Sequence, residues 1–257
     1  MNQSEAIAKR VLEAIFPGAR LDYRLTQSHG EYDFDLRYNN GTTAAVEVTA
    51  AMDEALMKTV GAIHGKRAGG STILAKVCKR TWIIFPTKGA SIRRIRTDAD
   101  FYLAALEQEG IDRFYCVSRS PSVQKACCHL EITGGGVVSS DREPTICIAG
   151  PIGGGAVGPS LAIEAGEREA LKQDNRRKLS AAQTTERHLV VCIDGSNGLA
   201  WTALTSFAPP AILPNIPDEI TNLWLIGQGD NRNEFVVWRA GATETWRSMK
   251  VQCAPEI

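Results

Sequence analysis

The chain has 257 residues, of which 44% are hydrophobic and 23% charged, as is ordinary for a globular protein with one large domain or two small ones. Lys and Arg together number 29, as do Asp and Glu, so the formal net charge is zero. This neutrality excludes bulk attraction to nucleic acid and leaves only local basic patches for such contacts. It is compatible with an enzyme that engages DNA briefly.

The cysteine and histidine pattern argues against a disulfide framework and against a zinc site. There are seven cysteines, no CxxC pair occurs, and the four histidines have no ligand spacing. We therefore predict buried, reduced thiols in a cytoplasmic protein. The N-terminus lacks a signal-peptide core and no apolar run approaches about 18 residues, so we expect a soluble protein that makes no membrane contact.

Periodicity in the first 120 residues predicts alternating helices and strands. Ser4 can cap a first helix, which Pro17-Gly18 ends. The predicted elements are a helix over 4–16, strands over 20–26, 32–38 and 43–49, a helix over 52–66, a strand over 81–86, a helix over 92–109 and a strand over 113–117. The order over the first 86 residues is therefore α-β-β-β-α-β.

The second half has a different character and predicts fewer strands. We expect a hairpin turning at Gly134–Gly136, a strand near 144–150, a glycine loop, a helix over 160–181, and strands over 188–194, 222–227 and 234–240. The predicted boundary lies near residue 120, which gives segments 1–120 and 121–257. Because the late strands are few, we expect them to extend the same sheet, so that the two segments could form one domain.

Two neighbouring strands carry acidic residues on one side. A three-residue loop at 39–41, with Gly41 left-handed, places Asp35 opposite Ala45 and Asp33 opposite Glu47. A two-residue loop would break this pairing. Because side chains alternate along a strand, one face is expected to carry Asp33, Asp35, Ala45, Glu47 and Thr49, and the buried face Phe34, Leu36, Val46 and Val48.

Like charges on facing strand positions repel and cost stability unless something neutralises them. A bound divalent cation would do so, since carboxylates are ligands that Mg²⁺ prefers. Glu47 also lies between Val46 and Val48 in a strand that should be buried, and a buried carboxylate needs a partner. The pattern favours a metal site over the alternative, a solvated polar face.

The segment YDFDLRYNNGTTAAVEVT (32–49), within the α-β-β-β-α-β order, resembles the PD-(D/E)XK nuclease superfamily, which includes restriction enzymes, Holliday-junction resolvases and repair nucleases. The resemblance covers about the first 120 residues and rests on a short motif. It implies an α/β, restriction-endonuclease-like fold with a mixed central sheet that the C-terminal strands extend. The family's metal-binding Asp corresponds to Asp33, with Asp35 as a rival, and its Glu corresponds to Glu47; Tyr32 replaces the proline.

The main departure from the family is Thr49, which stands where the motif has lysine. In the family this lysine orients the attacking water and stabilises the charged transition state. A threonine hydroxyl can hold a water but brings no positive charge. Lys58 and Lys66 on the following predicted helix are candidates to replace it.

The resemblance implies a Mg²⁺- or Mn²⁺-dependent nuclease that acts on DNA, with Asp33, Asp35, Glu47 and the Val48 carbonyl as metal ligands and Thr49 and Lys58 beside them. Two basic clusters either contact phosphates or are ordinary surface charge; they are Lys88, Arg93, Arg94 and Arg96, and Arg176, Arg177 and Lys178. A bacterial defence or repair setting is implied by the resemblance alone. The alternative is an inactive binding or assembly module that kept the fold. A homodimer or a larger protein complex is compatible with either reading.

A third reading rests on the glycine loop. TICIAGPIGGGAVG (145–158) places Gly153-X-Gly155-X-X-Gly158 between a strand and a helix, and Asp194 ends the next strand, as in a dinucleotide-binding unit. Pro151 and Pro159 stiffen the turn, and the first glycine comes late after the strand. A loop without cofactor is the alternative interpretation.

Overall fold

The computed structural model describes residues 1–24, 31–64, 70–140, 143–150 and 157–254. It divides the chain into two compact units: unit 1 comprises Met1–Met52 with Ala156–Ile257, and unit 2 comprises Asp53–Gly155. Within the described ranges the protein is α/β, with seven helices and two mixed sheets of seven and five strands.

The first ten elements in chain order are α1 Gln3–Ile15, β1 Arg20–Tyr23, β2 Phe34–Arg37, β3 Thr43–Ala50, α2 Glu54–His64, β4 Thr72–Leu74, β5 Thr81–Pro86, α3 Ile92–Gln108, β6 Arg113–Tyr115 and α4 Pro121–Leu130. The others are β7 Ile132–Val138, β8 Thr145–Ile148, α5 Ser160–Ala170, α6 Gln173–Ser180, β9 Glu186–Cys192, α7 Gly198–Ser206, β10 Asn222–Gln228, β11 Glu234–Gly241 and β12 Glu244–Gln252.

The seven-stranded sheet belongs to unit 1 and has the order β1-β2-β3-β9-β10-β11-β12. β9 is parallel to both β3 and β10, and the other neighbours are antiparallel. A parallel pair needs a crossover connection. Between β3 and β9 the chain runs through the whole of unit 2 and then through α5 and α6.

The predicted β2–β3 hairpin register is confirmed. Asp35 pairs with Ala45, the Tyr38 amide donates to the Thr42 carbonyl at 2.9 Å, and Gly41 has φ of 81°, a conformation that glycine adopts without strain. The apolar face packs under α1 in one core cluster, as predicted. Its members include Phe34, Leu36, Val46 and Val48 from the hairpin and Ala8, Val11 and Leu12 from the helix.

The five-stranded sheet belongs to unit 2 and has the order β4-β8-β5-β7-β6. One face is apolar and packs against α3, α4 and part of α2. This core includes Trp82, Ile84, Phe114, Ile132, Ile146 and Ile148 from the strands.

The structure corrects which segments complete the first sheet. The helix predicted over 52–66 and the strand over 81–86 do form, as α2 and β5, but they lie in unit 2, where β5 pairs with β7 and β8. The neighbour of β3 is β9 instead. The two units therefore divide the chain differently from the boundary predicted near residue 120, because an apolar strand pattern does not specify its partner.

Other local predictions were wrong. Gly134–Gly136 form the middle of β7 rather than a hairpin turn. A Cβ on Gly134 would lie 2.6 Å from the Phe114 carbonyl oxygen, so the glycine permits close approach of a neighbouring strand. The helix predicted over 160–181 is broken between α5 and α6 at 171–172, and β4, α4, α7 and β12 were not predicted.

All seven cysteines have free thiols, as predicted, but only four are buried as expected, whereas Cys116 and Cys128 are exposed and Cys147 is half-buried. The buried ones are Cys78, Cys127, Cys192 and Cys253. In the part of the chain that the structure describes, helices are too short or too polar to cross a bilayer.

Candidate active site

The carboxylate of Asp33 is fixed beside β3 in unit 1. Its backbone amide donates to the Val46 carbonyl at 3.0 Å, beside the last pair of the β2–β3 ladder, Phe34 with Val46. Its Oδ2 accepts a 2.8 Å hydrogen bond from the Val48 amide. Asp33 is only 4% exposed and Glu47, on the same strand as Val48, only 2%. The two acidic residues that the hairpin register predicted to face each other are thus buried together.

Lys178 on α6 reaches Glu47 from the distant part of the chain. Its Nζ lies 2.8 Å from Glu47 Oε1 and 3.4 Å from Asp174 Oδ2. The other carboxylate oxygen, Glu47 Oε2, is buried and has no hydrogen-bond partner in the structure. A buried polar atom without a partner is costly and usually marks a functional position or a bound group.

The surroundings make Glu47 hard to ionise. Burial raises its pKa to about 8, the neighbouring Asp33 charge adds to the rise, and the hydrogen bond and charge of Lys178 only partly oppose it. For Lys178, burial acts to lower the pKa, but the hydrogen bond and the charge of Glu47 outweigh it, so the pKa is raised. The carboxylate pair therefore favours a positive group at this position.

Thr49, the residue in place of the motif lysine, is engaged by a second pair of charges. Its hydroxyl lies 3.3 Å from Glu169 Oε2, and Lys172 Nζ lies 2.7 Å from the same oxygen. Glu169 is 1% exposed and was not predicted as part of the site. The Thr49 hydroxyl is therefore directed at a carboxylate and supplies no positive charge.

Asp35 is held apart from the Asp33–Glu47 pair. Its Oδ1 accepts a 2.8 Å hydrogen bond from the Tyr32 hydroxyl and lies 3.8 Å from the Arg24 guanidinium, which itself sits over the Tyr32 ring. The structure thus brings together two of the three predicted carboxylates, and the third has its own partners.

The predicted replacement lysine, Lys58, pairs within its own helix. Lys58 lies on α2 in unit 2, where its side chain is 79% exposed and 3.7 Å from Glu54. Lys66, the other candidate, lies outside the described residues. Lys178 is the lysine that contacts Glu47, and it was predicted only as a member of a phosphate-binding cluster.

The donors present fit a hard divalent cation. The Val46 carbonyl points towards β2, where it accepts from Asp33, so the Val48 carbonyl two residues on points to the same side. Asp33, Glu47 and this carbonyl offer oxygen ligands, and Mg²⁺ commonly takes one or two carboxylates and completes its shell with water and phosphate. Within the described ranges, no group of three or more His, Cys, Asp or Glu residues could hold a metal ion.

Most members of the two basic clusters contact acidic groups or carbonyls. Lys88 bonds Asp53 and Arg94 pairs with Glu131, and Arg96 donates to the Gly70 carbonyl. On α6, Arg176 pairs with Glu219 and Arg177 with Asp174. Phosphate contact by these clusters stays a prediction.

The glycine loop contributes no described contact to the candidate site. Gly153 and Gly155 lie outside the described residues, and Gly158 precedes α5. Asp194 Oδ1 accepts a 2.8 Å hydrogen bond from the Ser196 amide and so caps the short 3₁₀ turn Gly195–Asn197. This local role is sufficient to explain the aspartate.

A cavity of about 430 Å³ lies elsewhere in unit 1, between the end of α1, the β2–β3 turn and β11. Its polar groups satisfy each other: the Tyr38 hydroxyl donates to Glu186 at 2.8 Å, and the buried His188 bonds Glu186 and Trp224. The Asp33–Glu47 pair, which retains an unsatisfied oxygen, is the stronger candidate for chemistry.

Comparison of the chain with models of protein families, with curated proteins and with solved structures gave no match.

The raised pKa of Glu47 predicts a pH-dependent stability for the metal-free protein. The folded protein holds a proton on Glu47 up to pH of about 8, whereas the unfolded chain releases it near pH 4.5. Because the folded state binds this proton more tightly, protonated Glu47 contributes fully to the free energy of unfolding below pH 4.5, and this contribution is lost as pH rises to about 8. In EDTA, between pH 4.5 and about 8, the free energy of unfolding of wild type should fall relative to that of Glu47→Gln by on the order of a few kcal/mol. Urea unfolding at each pH measures both values. Parallel pH profiles for the two proteins would contradict the burial argument.

Proposed function

We propose that unit 1 is a metal-dependent nuclease domain of the restriction-endonuclease-like class, which hydrolyses phosphodiester bonds with DNA as the expected substrate. The observation that carries the proposal is the 2.8 Å contact of Lys178 with Glu47, beside the buried Asp33. This contact supplies from α6 the positive charge that Thr49 lacks in the motif.

The order of the unit 1 elements supports the class. Once the chain of unit 2 is set aside, the order reads α1, β1, β2, β3, the helix pair α5–α6, and then β9 parallel to β3. This is the α-β-β-β-α-β order of the resemblance, with α5–α6 as the crossover in place of residues 52–66. Unit 2 stands in the chain between the third strand and the crossover.

The residues present can divide the chemical work. A bound Mg²⁺ or Mn²⁺ ion supplies charge neutralisation at phosphate and activation of water, and Asp33, Glu47 and the Val48 carbonyl would hold it. Lys178 has three N–H donors, so it can hold a water or phosphate oxygen while it contacts Glu47. The buried setting strengthens each of these interactions relative to bulk water.

The proposal is tested by incubating the whole chain with plasmid and single-stranded DNA in Mg²⁺, in Mn²⁺ and in EDTA. We expect cleavage with metal, none in EDTA, and a loss of about 10²-fold or more in Glu47→Ala, since it removes a ligand and charge at the reacting phosphate. Glu244→Ala, which alters an exposed residue that begins β12, is the matched control and should cleave as wild type does.

Cleavage that persists in EDTA or survives in Glu47→Ala would refute the site. A folded protein that binds DNA but cleaves none of these substrates with either metal would favour the alternative, a binding or assembly module that has lost catalysis.

A further inference from the structure

The sheet of unit 2 has an open face, opposite the face that packs on α3 and α4. Alternation along the strands puts Ile83 and Phe85 of β5 on this face, because Trp82 and Ile84 lie in the core. The strand pairing extends the face to both edges. Its most exposed members are Leu74 of β4 and Arg113 and Tyr115 of β6, whereas Ile83 and Phe85 in the middle are half-buried.

Two side chains of the edge strand β6 lie across the glycines of β7. A Cβ on Gly134 would come within 3.2 Å of the Tyr115 ring, and one on Gly136 within 3.9 Å of the Arg113 side chain. Tyr115 nevertheless keeps 59% of its surface exposed. The missing side chains at the two glycines therefore leave a flat strip on which an aromatic ring and a guanidinium lie side by side and open to solvent.

The positive charge of this face and of unit 2 favours binding of an anionic partner. Among the described strand residues of the face none is Asp or Glu, and Arg113 is exposed. Unit 2 has 14 Lys and Arg against 10 Asp and Glu, whereas the rest of the chain has 15 against 19. The overall neutrality thus conceals an excess of positive charge in the unit that carries the open face.

We infer that the open face of the unit 2 sheet binds single-stranded nucleic acid, with a base stacked on Tyr115 and a phosphate held by Arg113. Exposed aromatic rings beside a cation on a sheet are the means by which proteins bind unpaired bases, whose faces are accessible only in single strands. This deepens the proposed nuclease function and rests on it, since it assigns that nuclease a single-stranded substrate.

The test measures binding apart from cleavage. Fluorescently labelled oligothymidine and oligouridine of 12 residues are titrated with the whole chain in EDTA, at several salt concentrations, by anisotropy. We expect Tyr115→Ala to weaken binding roughly tenfold or more, while Tyr115→Phe, which keeps the ring, binds as wild type does. Arg113→Ala should weaken binding and reduce the slope of log K against log salt by about 0.7.

Matched controls come from the helical layer of the same unit. Phe101 on α3 is 69% exposed and Lys125 on α4 is also exposed, so Phe101→Ala and Lys125→Ala should bind as wild type does. Circular dichroism checks that each variant is folded. The two oligonucleotides distinguish DNA from RNA as the source of the strand.

The outcomes separate this inference from the nuclease proposal. If wild type binds the oligonucleotides but cleaves no nucleic acid with Mg²⁺ or Mn²⁺, the inference stands and the nuclease proposal fails. Absence of binding by wild type, equal loss in Phe101→Ala, or no loss in folded Tyr115→Ala would overturn the inference. So would a dimer in sedimentation that Tyr115→Ala dissociates, because a second copy of the chain would then cover the face.

Discussion

Lys178→Met is expected to lower metal-dependent DNA cleavage by about 10²- to 10³-fold, the size of effect seen when one group that stabilises transition-state charge is removed. The side chain keeps its length and loses its charge. Because Lys178 opposes the rise in the pKa of Glu47, its loss also leaves that carboxylate harder to ionise and therefore a poorer metal ligand. Initial cleavage rates at saturating Mg²⁺ measure the effect.

The chain offers a close control for this change. Lys172, near the start of α6, lies 2.7 Å from the buried Glu169, much as Lys178 lies 2.8 Å from Glu47. Lys172→Met therefore also breaks an ion pair with a buried glutamate, but that glutamate bonds the Thr49 hydroxyl instead of being a proposed metal ligand. We expect it to cleave within a few-fold of wild type. An equal loss in both variants would show that Lys178 acts only through the fold.

The hairpin that carries the site was predictable because its determinants are local. The 39–41 loop with Gly41 sets the register, and the alternation of side chains then decides that Asp33 and Glu47 share a face. The structure agrees with this register for the four pairs from Phe34 to Arg37. It also buries Phe34 and Val46 as the alternation predicts.

The neighbour of β3 was not predictable from the same kind of signal. Residues 81–86 and 188–194 are both short apolar runs, and either could lie beside a buried strand. Parallel pairing has no turn to specify it. The chain order favours the nearer run, 81–86, whereas β9 pairs with β3 and the intervening segment forms its own sheet with its own core.

The same non-local pairing explains why Lys178 was missed as the partner of Glu47. The two residues are 131 positions apart, and nothing in KLSAA around Lys178 distinguishes it from a surface charge. In contrast, the unpredicted helix α4 has a local signal in the sequence: Ser120 caps it and Pro121 occupies its first turn, a combination typical of helix starts.

Asp33→Asn and Glu47→Gln are expected to abolish divalent-metal binding, while Asp35→Asn retains it. Each change keeps the shape of the side chain and removes one anionic ligand. Asp35 contacts Tyr32 and Arg24 rather than the other two acids, so its neutralisation should leave the metal ligands in place. Changes to residues that only support the ligands weaken metal binding by roughly ten- to hundred-fold. Loss of a direct ligand should weaken it further, to below detection.

Calorimetric titration of the whole chain with Mn²⁺ is the most direct measurement of the Asp33–Glu47 metal site. We predict one site in wild type and in Asp35→Asn that disappears in Asp33→Asn and Glu47→Gln, with all four proteins folded. The metal site would be contradicted if Asp33→Asn and Glu47→Gln bound Mn²⁺ with the affinity of wild type, or if wild type bound no Mn²⁺.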